Sequence, residues 1–258
     1  MRARAYITPK GAETEADCQD RFSINAATGS VAVSDGMSQS LFPKYWAEIL
    51  AERYTSDGDW RPTHDSVSEL APLWRERVNA RLEQMREAGA NTWRTENMLS
   101  DGISAGATLI GLRCSGEGWR CDALGDSCLI VVDDGAITDI CSSMDTARFG
   151  NRPDFFDSDA TRRGKGEVAT FEGEWLPGRV LLLVSDPMAA YLASLRGSVI
   201  EAARLKELLG VSSADEFSIL VEYWRKDGMH DDDTTVVIVT NEDHGLDCGF
   251  NRQTEWVW

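Results

Sequence analysis

Apolar positions along this chain fall into runs of two periods. "SVAVS" (Ser30–Ser34), "RVLLLVS" (Arg179–Ser185) and "TTVVIVT" (Thr234–Thr240) are short, nearly unbroken apolar runs bounded by polar residues, and they read as buried strands. "RAYIT" near the start reads as an edge strand, and "RFSINAATGSVAVSDG" as two strands around a turn containing Gly29. "ATLIGLRC", "WRCDALG" and "SCLIVVDDGAITDI" form an antiparallel meander with turns at "SGEG", "GDS" and "DDG", and "EVATFE" is a further strand. Between these groups the period lengthens to that of a helix. "FPKYWAEILAERY" spaces Tyr45, Ile49 and Leu50 helically, with Pro43 in its first turn. "HDSVSELAPLWRERVNARLEQMREAG" carries Val67, Leu70, Leu73, Trp74, Val78 and Leu82 as one amphipathic stripe closed by Gly89. "PMAAYLASL" and "VIEAARLKELLG" are short helices. "SSADEFSILVEYWRKDG" is a longer one, with Ser213 and Glu216 as a capping box and Gly228 at its end. Residues Ser142–Gly166 are polar and without period, as expected of a surface loop or flap.

Strands, helices, strands and helices follow one another, with hairpin-length links between strands. That order predicts an α+β fold with mainly antiparallel sheet rather than a βαβ alternation. No repeat, low-complexity tract or Pro-rich linker interrupts it, so residues 1–258 read as one domain with a flap at 142–166. No Walker loop and no GxGxxG is present, so no nucleotide-phosphate cradle is expected.

Charge narrows the partners. The chain carries 26 Lys and Arg against 43 Asp and Glu, a net charge of −17, which argues against nucleic acid or an anionic membrane as partner. Most of these acids simply keep the surface solvated. No secretory leader is visible, and no apolar run approaches the roughly 20 residues of a spanning helix; a soluble, cytoplasmic chain is the expectation. The cysteines are Cys18, Cys114, Cys121, Cys128, Cys141 and Cys248. Without a leader they read as reduced thiols, with Cys114 and Cys121 a candidate redox pair across their hairpin. No CxxC occurs and the three histidines are scattered, so a zinc site is not expected.

The acids that matter stand at strand ends. "SVAVSDG" runs into Asp35, "RVLLLVSDP" into Asp186, and "HDDDTTVVIVT" (His230–Thr240) sets Asp231, Asp232 and Asp233 directly before a buried strand. Crowded carboxylates repel unless they face water or meet a cation. Any one of them serves equally well as a turn residue. Three at rigid strand ends suit hard divalent cations such as Mg²⁺ or Mn²⁺, which prefer oxygen ligands. Two such ions about 3.5–4 Å apart clamp a phosphate during in-line displacement.

Six segments, in order, resemble the motifs of the metal-dependent Ser/Thr protein phosphatases of type 2C (the PPM family). They are "CQDRFSI" (Cys18–Ile24), "AVSDGMSQS" (Ala32–Ser40), "GATL" (Gly106–Leu109), "ALGDSCL" (Ala123–Leu129), "VLLLVSD" (Val180–Asp186) and "DDDTTVVIV" (Asp231–Val239). The family's patterns are a paired acid before a strand, DGxGG, GST, GDS, SDG and DNxT. The resemblance implies an α/β/β/α sandwich of two mainly antiparallel sheets flanked by helices. It also implies hydrolysis of phospho-Ser/Thr monoesters by water activated at two Mn²⁺ or Mg²⁺ ions. Asp35 then resembles the bridging ligand, Gly36 a carbonyl ligand, Asp20 the paired acid acting through water, Asp186 the SDG aspartate and Asp232 the DNxT aspartate. Asp126 resembles the holder of a weaker third ion. Asp35 and Asp20 are the implied catalytic pair, with Asp231 and Asp233 shaping the turn. The "CQD" form is similar to a bacterial branch often encoded beside a Ser/Thr kinase and a von Willebrand A-type protein, so a phosphorylated protein, that kinase or that protein are the implied partners.

The departures are specific. Gln19 stands where many members have Glu, and Met37 where many have the His of DGHGG. Ser38 and Gln39 replace two glycines, Pro187 the Gly of SDG, and Asp233 the Asn of DNxT. Glu15 occupies the position of the family's phosphate-binding Arg. A pseudophosphatase that keeps fold and metals as a phosphoprotein-binding or regulatory module is therefore the competing reading. His230, adjacent to the acids, is a candidate proton donor. Reading Asp231, Asp233 and Thr235 as the DxDxT motif of haloacid-dehalogenase-type phosphatases fails on context, because that motif needs a strand before it and here the strand follows.

Overall fold

A computed structural model describes residues 1–241 apart from Ala12, Glu117 and Asn151; Cys248 lies outside the described residues. In chain order, β1 (Arg2–Thr8), β2 (Arg21–Asn25) and β3 (Ser30–Ser34) lead into α1 (Pro43–Ser56), α2 (His64–Ser68), α3 (Ala71–Glu87) and α4 (Trp93–Ser100). Next come β4 (Gly106–Ala107), β5 (Leu109–Ser115), β6 (Gly118–Leu124), β7 (Cys128–Asp133), β8 (Ala136–Cys141), β9 (Phe156–Asp157), β10 (Ala169–Glu174) and β11 (Val180–Val184). Then α5 (Asp186–Leu195), α6 (Glu201–Gly210) and α7 (Ala214–Lys226) precede β12 (Thr234–Thr240).

Alternation of side chains sorts the central strands between two cores. In β12, Val237 and Val239 face one way and Val236 and Ile238 the other, and all four are buried. In β11, Leu181 and Leu183 oppose Leu182 and Val184 in the same manner. Strands covered on both faces lose the apolar–polar alternation, which is why they read as unbroken apolar runs. The inward set meets Val31, Val33, Ile110, Leu112 and Cys121 of the facing sheet. The outward set meets α5, α6 and α7 through Met188, Leu192, Leu205, Phe217 and Trp224. On the far side, Trp46, Leu50 and Tyr54 of α1 and Trp74, Val78 and Leu82 of α3 cover Ala32, Leu109 and Leu124. The result is an α/β/β/α sandwich. One sheet has the order β1-β12-β11-β7-β8 and the other β10-β6-β5-β3-β2, with every pairing antiparallel. This is the fold class the resemblance implied.

Three sequence readings need correction. The single stripe from His64 to Gly89 is two helices, because Pro72 opens α3 and cannot continue the helix before it. The helix α4 was not anticipated; its face carries no fully buried residue and so no clear apolar period. Cys114 and Cys121 do not oppose each other, since the register sets Cys114 against Trp119 and Cys121 against Leu112; the five described cysteines are all free thiols. At the start of α7 the Ser213 hydroxyl takes the Glu216 N–H at 3.2 Å, whereas the Glu216 carboxylate reaches back to the Ser212 N–H at 2.8 Å. In the "DDG" turn Asp134 and Gly135 both adopt positive φ, 49° and 77°, the two-residue turn whose twist matches a hairpin.

The segment 142–166 is anchored at its middle. Its Phe156 pairs with Ala107 and is fully buried against α1, and the Trp46 indole N–H donates to the Phe156 carbonyl at 2.9 Å. Ser158 adds a reciprocal pair of bonds with Ala105, at 2.8 and 2.9 Å. A two-residue strand leaves no periodic signal, so only this structure reveals the anchor. Replacing Phe156 by Ala should lower the unfolding free energy by about 3–5 kcal/mol in urea titration; a loss under about 1 kcal/mol would show that the anchor does not hold.

Candidate metal centre

Antiparallel pairing puts the residue after one strand beside the residue before its neighbour. The β2–β3 ladder pairs Arg21 with Ser34, so its next position outward sets Asp20 against Asp35. The β3–β5 ladder pairs Val33 with Ile110, and two residues further brings Thr108 to Asp35. In the other sheet, β7–β11 pairs Cys128 with Val184, and two residues further sets Asp126 against Asp186. The β1–β12 ladder pairs Thr8 with Thr234, and its continuation sets Lys10 against Asp232.

Hydroxyl groups fix these ends. The Asp35 N–H donates to Thr108 Oγ1 at 3.1 Å, and that hydroxyl meets Ser127 Oγ, in the turn between β6 and β7, at 2.9 Å. The Ser34 hydroxyl donates to the Thr108 carbonyl at 2.6 Å. The Thr235 N–H donates to Ser185 Oγ at 2.9 Å, which ties β12 to the residue before Asp186. The Gly36–Ala107 pair is flanked by bonds from Thr108 N–H to the Asp35 carbonyl and from Met37 N–H to the Gly106 carbonyl, both 2.9 Å. That pattern leaves the Gly36 carbonyl outside the ladder. A Cβ on Gly36 would stand 2.9 Å from the Pro43 backbone, so the chain passes beneath α1 there only as glycine.

The three consecutive aspartates divide their work. Asp233 is buried and takes the Lys10 N–H at 3.0 Å and the Gln19 N–H at 2.7 Å, which holds the β1–β2 connection around Asp20. Asp231 takes the Gly11 N–H at 2.9 Å and pairs with Arg225 at 3.2 Å. Asp232 is more open; its Oδ1 takes the Asp233 N–H at 2.9 Å and lies 3.8 Å from the Lys10 ammonium. The anchoring by Asp233 and the presence of Lys10 escaped sequence reasoning, because both depend on β1 pairing with β12 across nearly the whole chain.

Burial and mutual repulsion dominate the electrostatics. Asp20 is fully buried, its two carboxylate oxygens have no hydrogen bond of normal geometry, and the side chains of Thr235, Ser185 and Asp35 approach it. Burial, and then the charge of Asp233, push its pKa up to about 7. Asp35 is held well above the ordinary carboxylate range by burial and by Asp20, Asp186 and Asp126. Asp186 is raised for the same reason, by burial and by Asp126, Asp20 and Asp232. Burial lifts Asp126 to about 6; its Oδ2 takes the Gly150 N–H at 3.2 Å, and its buried Oδ1 has no partner. The fold thus brings Asp20, Asp35, Asp126 and Asp186 into one another's field, with Asp232 reaching Asp186. Among the described residues no three acidic, thiol or imidazole side chains close around a single point as a preformed ion cage. Hard cations of the Mg²⁺ type keep several waters and need only one or two carboxylates each, so unpartnered buried oxygens beside a free carbonyl fit such ions.

Solved structures share this architecture. The catalytic domain of the serine/threonine phosphatase PstP, in complex with two manganese ions, superposes with a TM-score of 0.55 over 92% of this chain and 96% of its own, at 16% identity. The Mycobacterium tuberculosis phosphatase PstP/Ppp gives 0.57 over 93% and 98%, at 16% identity. The fold is that of the type 2C protein phosphatases. PppA, a key regulatory component of T6SS in Pseudomonas aeruginosa, gives 0.57 over 93% and 97%, at 18% identity. No protein-family model and no curated protein matches the sequence.

Within the type 2C fold, the departures have defined places. Met37 packs on Gly106, whose added Cβ would meet the thioether sulfur at 2.6 Å. Glu15 and His230 are exposed.

A carboxyl whose pKa rises on folding holds its proton more tightly in the native state. Its contribution favours folding at acid pH and is lost as pH rises through the folded pKa. For Asp20 and Asp126 that window runs from about 4 to about 7. Metal-free protein should therefore melt at a lower temperature at pH 8 than at pH 5, and millimolar-range Mn²⁺ should close most of the gap by mass action. The Asp20→Asn variant should show a smaller gap; an unchanged gap would contradict the assignment.

Proposed function

We propose that this chain is a metal-dependent phosphoprotein phosphatase that hydrolyses phospho-Ser and phospho-Thr. The supporting observation is the set of buried, unpartnered carboxylate oxygens of Asp20 and Asp126 beside Asp35 and Asp186, in a fold shared with Ser/Thr phosphatases. Asp35, Asp186, Asp232, the Gly36 carbonyl and, through water, Asp20 would hold two Mn²⁺ or Mg²⁺ ions, with Asp126 holding a weaker third. Such ions, when bound, supply positive charge that polarises the phosphoryl oxygens and acidifies water.

The chain's own groups do the rest. Asp35 sits centrally among the other acids and fixes the position of the centre. Asp20 accepts from the attacking water and orients it for in-line displacement. Met37 carries no proton to give, so protonation of the leaving alcohol falls to solvent or to exposed His230. Glu15 places a repelling charge where an arginine would attract phosphate, which raises KM, and with no proton from Met37 turnover is modest. The substrate is a phosphorylated protein, and a cognate Ser/Thr kinase or a von Willebrand A-type protein is the proposed partner. We place the activity in the cytoplasm; no helix among the described residues is long and apolar enough to cross a membrane.

Glu15 and Met37 also favour a second reading, a pseudophosphatase that keeps the metals and binds a phosphoprotein. Hydrolysis of a phospho-Ser/Thr peptide and of p-nitrophenyl phosphate with Mn²⁺ separates the two. Chelator-sensitive turnover supports the enzyme, Mn²⁺ binding with no turnover supports the binding module, and metal-independent turnover defeats both. The Asp35→Asn variant should lose about 100-fold or more in activity and in metal affinity while remaining folded. The Glu15→Arg variant should lower KM for the phosphopeptide with kcat little changed, as expected for added uniform binding; an unchanged KM would remove Glu15 from the phosphate site.

A further inference from the structure

Lys10 brings a permanent positive charge to the rim of the acid cluster. Its ammonium lies 3.2 Å from Glu13 Oε1 and 3.8 Å from Asp232 Oδ1. Backbone geometry sets the placement. Lys10 lies two residues beyond the Thr8–Thr234 pair, and its own N–H is bonded to Asp233 at 3.0 Å. The side chain is only 24% exposed, so its charge is less screened than that of a free surface lysine. Asp232 Oδ1 is therefore shared between the Asp233 N–H and this ammonium, while the charge of Asp232 is felt at Asp186. Glu13 competes for the same ammonium, and its Oε2 is buried without a hydrogen bond.

We propose that Lys10 is a built-in counter-ion of Asp232 that weakens the cation site formed by Asp232 and Asp186 relative to the one formed by Asp20 and Asp35. The centre then takes up its two ions with unequal affinity, and Glu13 sets how much of the lysine's charge Asp232 feels. The physical cause is direct. A cation arriving at Asp232 is repelled by the nearby ammonium, and it must share the carboxylate with that ammonium. This inference rests on the two-ion reading of the centre.

Calorimetric titration of the full chain with MnCl₂, with free Mn²⁺ followed by electron paramagnetic resonance, tests it without any substrate. Wild-type protein should show a stronger and a weaker class of site. Lys10→Met should tighten the weaker class by about three- to fivefold, the size of one partly screened charge contact, and leave the stronger class unchanged. Lys10→Arg, which keeps the charge, should behave as wild type, and Glu13→Gln should weaken the weaker class further. Lys44→Met is the control for general charge, because its ammonium is bonded to the Ala16 carbonyl at 2.8 Å instead; it should change neither class. Unchanged binding in Lys10→Met, or an equal shift of both classes, would overturn the proposal. Wild-type protein that binds no Mn²⁺ would instead overturn the two-ion reading on which it stands.

Discussion

Repulsion among carboxylates at the common end of two sheets is the constraint around which this protein is organised. Asp20 is fully buried, and Asp35, Asp126 and Asp186 lie within its field or one another's. Desolvation and like charge both oppose ionisation there, so near neutral pH the metal-free centre opposes folding. The rest of the fold offsets that cost. β7, β11 and β12 are apolar on both faces, and helices cover the outer side of each sheet. Ladders held this way do not splay at their ends, which keeps the acids where a cation would relieve them.

Local polar contacts convert a rigid sheet end into a defined site. Thr108 takes the Asp35 N–H and touches Ser127, so the turn that carries the chain from one sheet to the other is tied down beside the acids. Asp233 spends its carboxylate on the Lys10 and Gln19 amides. That makes it a support for Asp20, while its neighbour Asp232 stays available. Each such bond contributes on the order of 1 kcal/mol net. Their larger effect is to remove alternative positions for the acids. Consecutive aspartates in "DDDTT" thus serve three purposes: a turn clasp to Arg225, a ligand candidate, and an anchor for a loop some 210 residues away in sequence.

What could be read from sequence follows from the range of the interactions involved. Doubly buried strands announce themselves as apolar runs, and the acids at their ends stand out because a charge follows immediately, as at Asp35 and Asp186. The layered fold came from the ordered motifs rather than from periodicity. Illegible features depend on long-range pairing or weak local signal. Lys10 meets Asp232 only because the first strand pairs with the last. β9 is two residues long, and α4 buries no complete side chain. The break between α2 and α3 was legible in principle: Pro72 marks it, but the hydrophobic stripe on either side masked the interruption. The hairpin cysteines failed for want of a register, which shifts Cys114 away from Cys121.

The proposed metal centre is tested most directly by anomalous scattering from crystals soaked in MnCl₂ and measured at the manganese edge. Two peaks roughly 3.5–4 Å apart, flanked by the carboxylates of Asp35 and Asp186 and the carbonyl of Gly36, are the expected result. Crystals that diffract well but show no manganese among these carboxylates, or show it only at surface acids elsewhere, would contradict it.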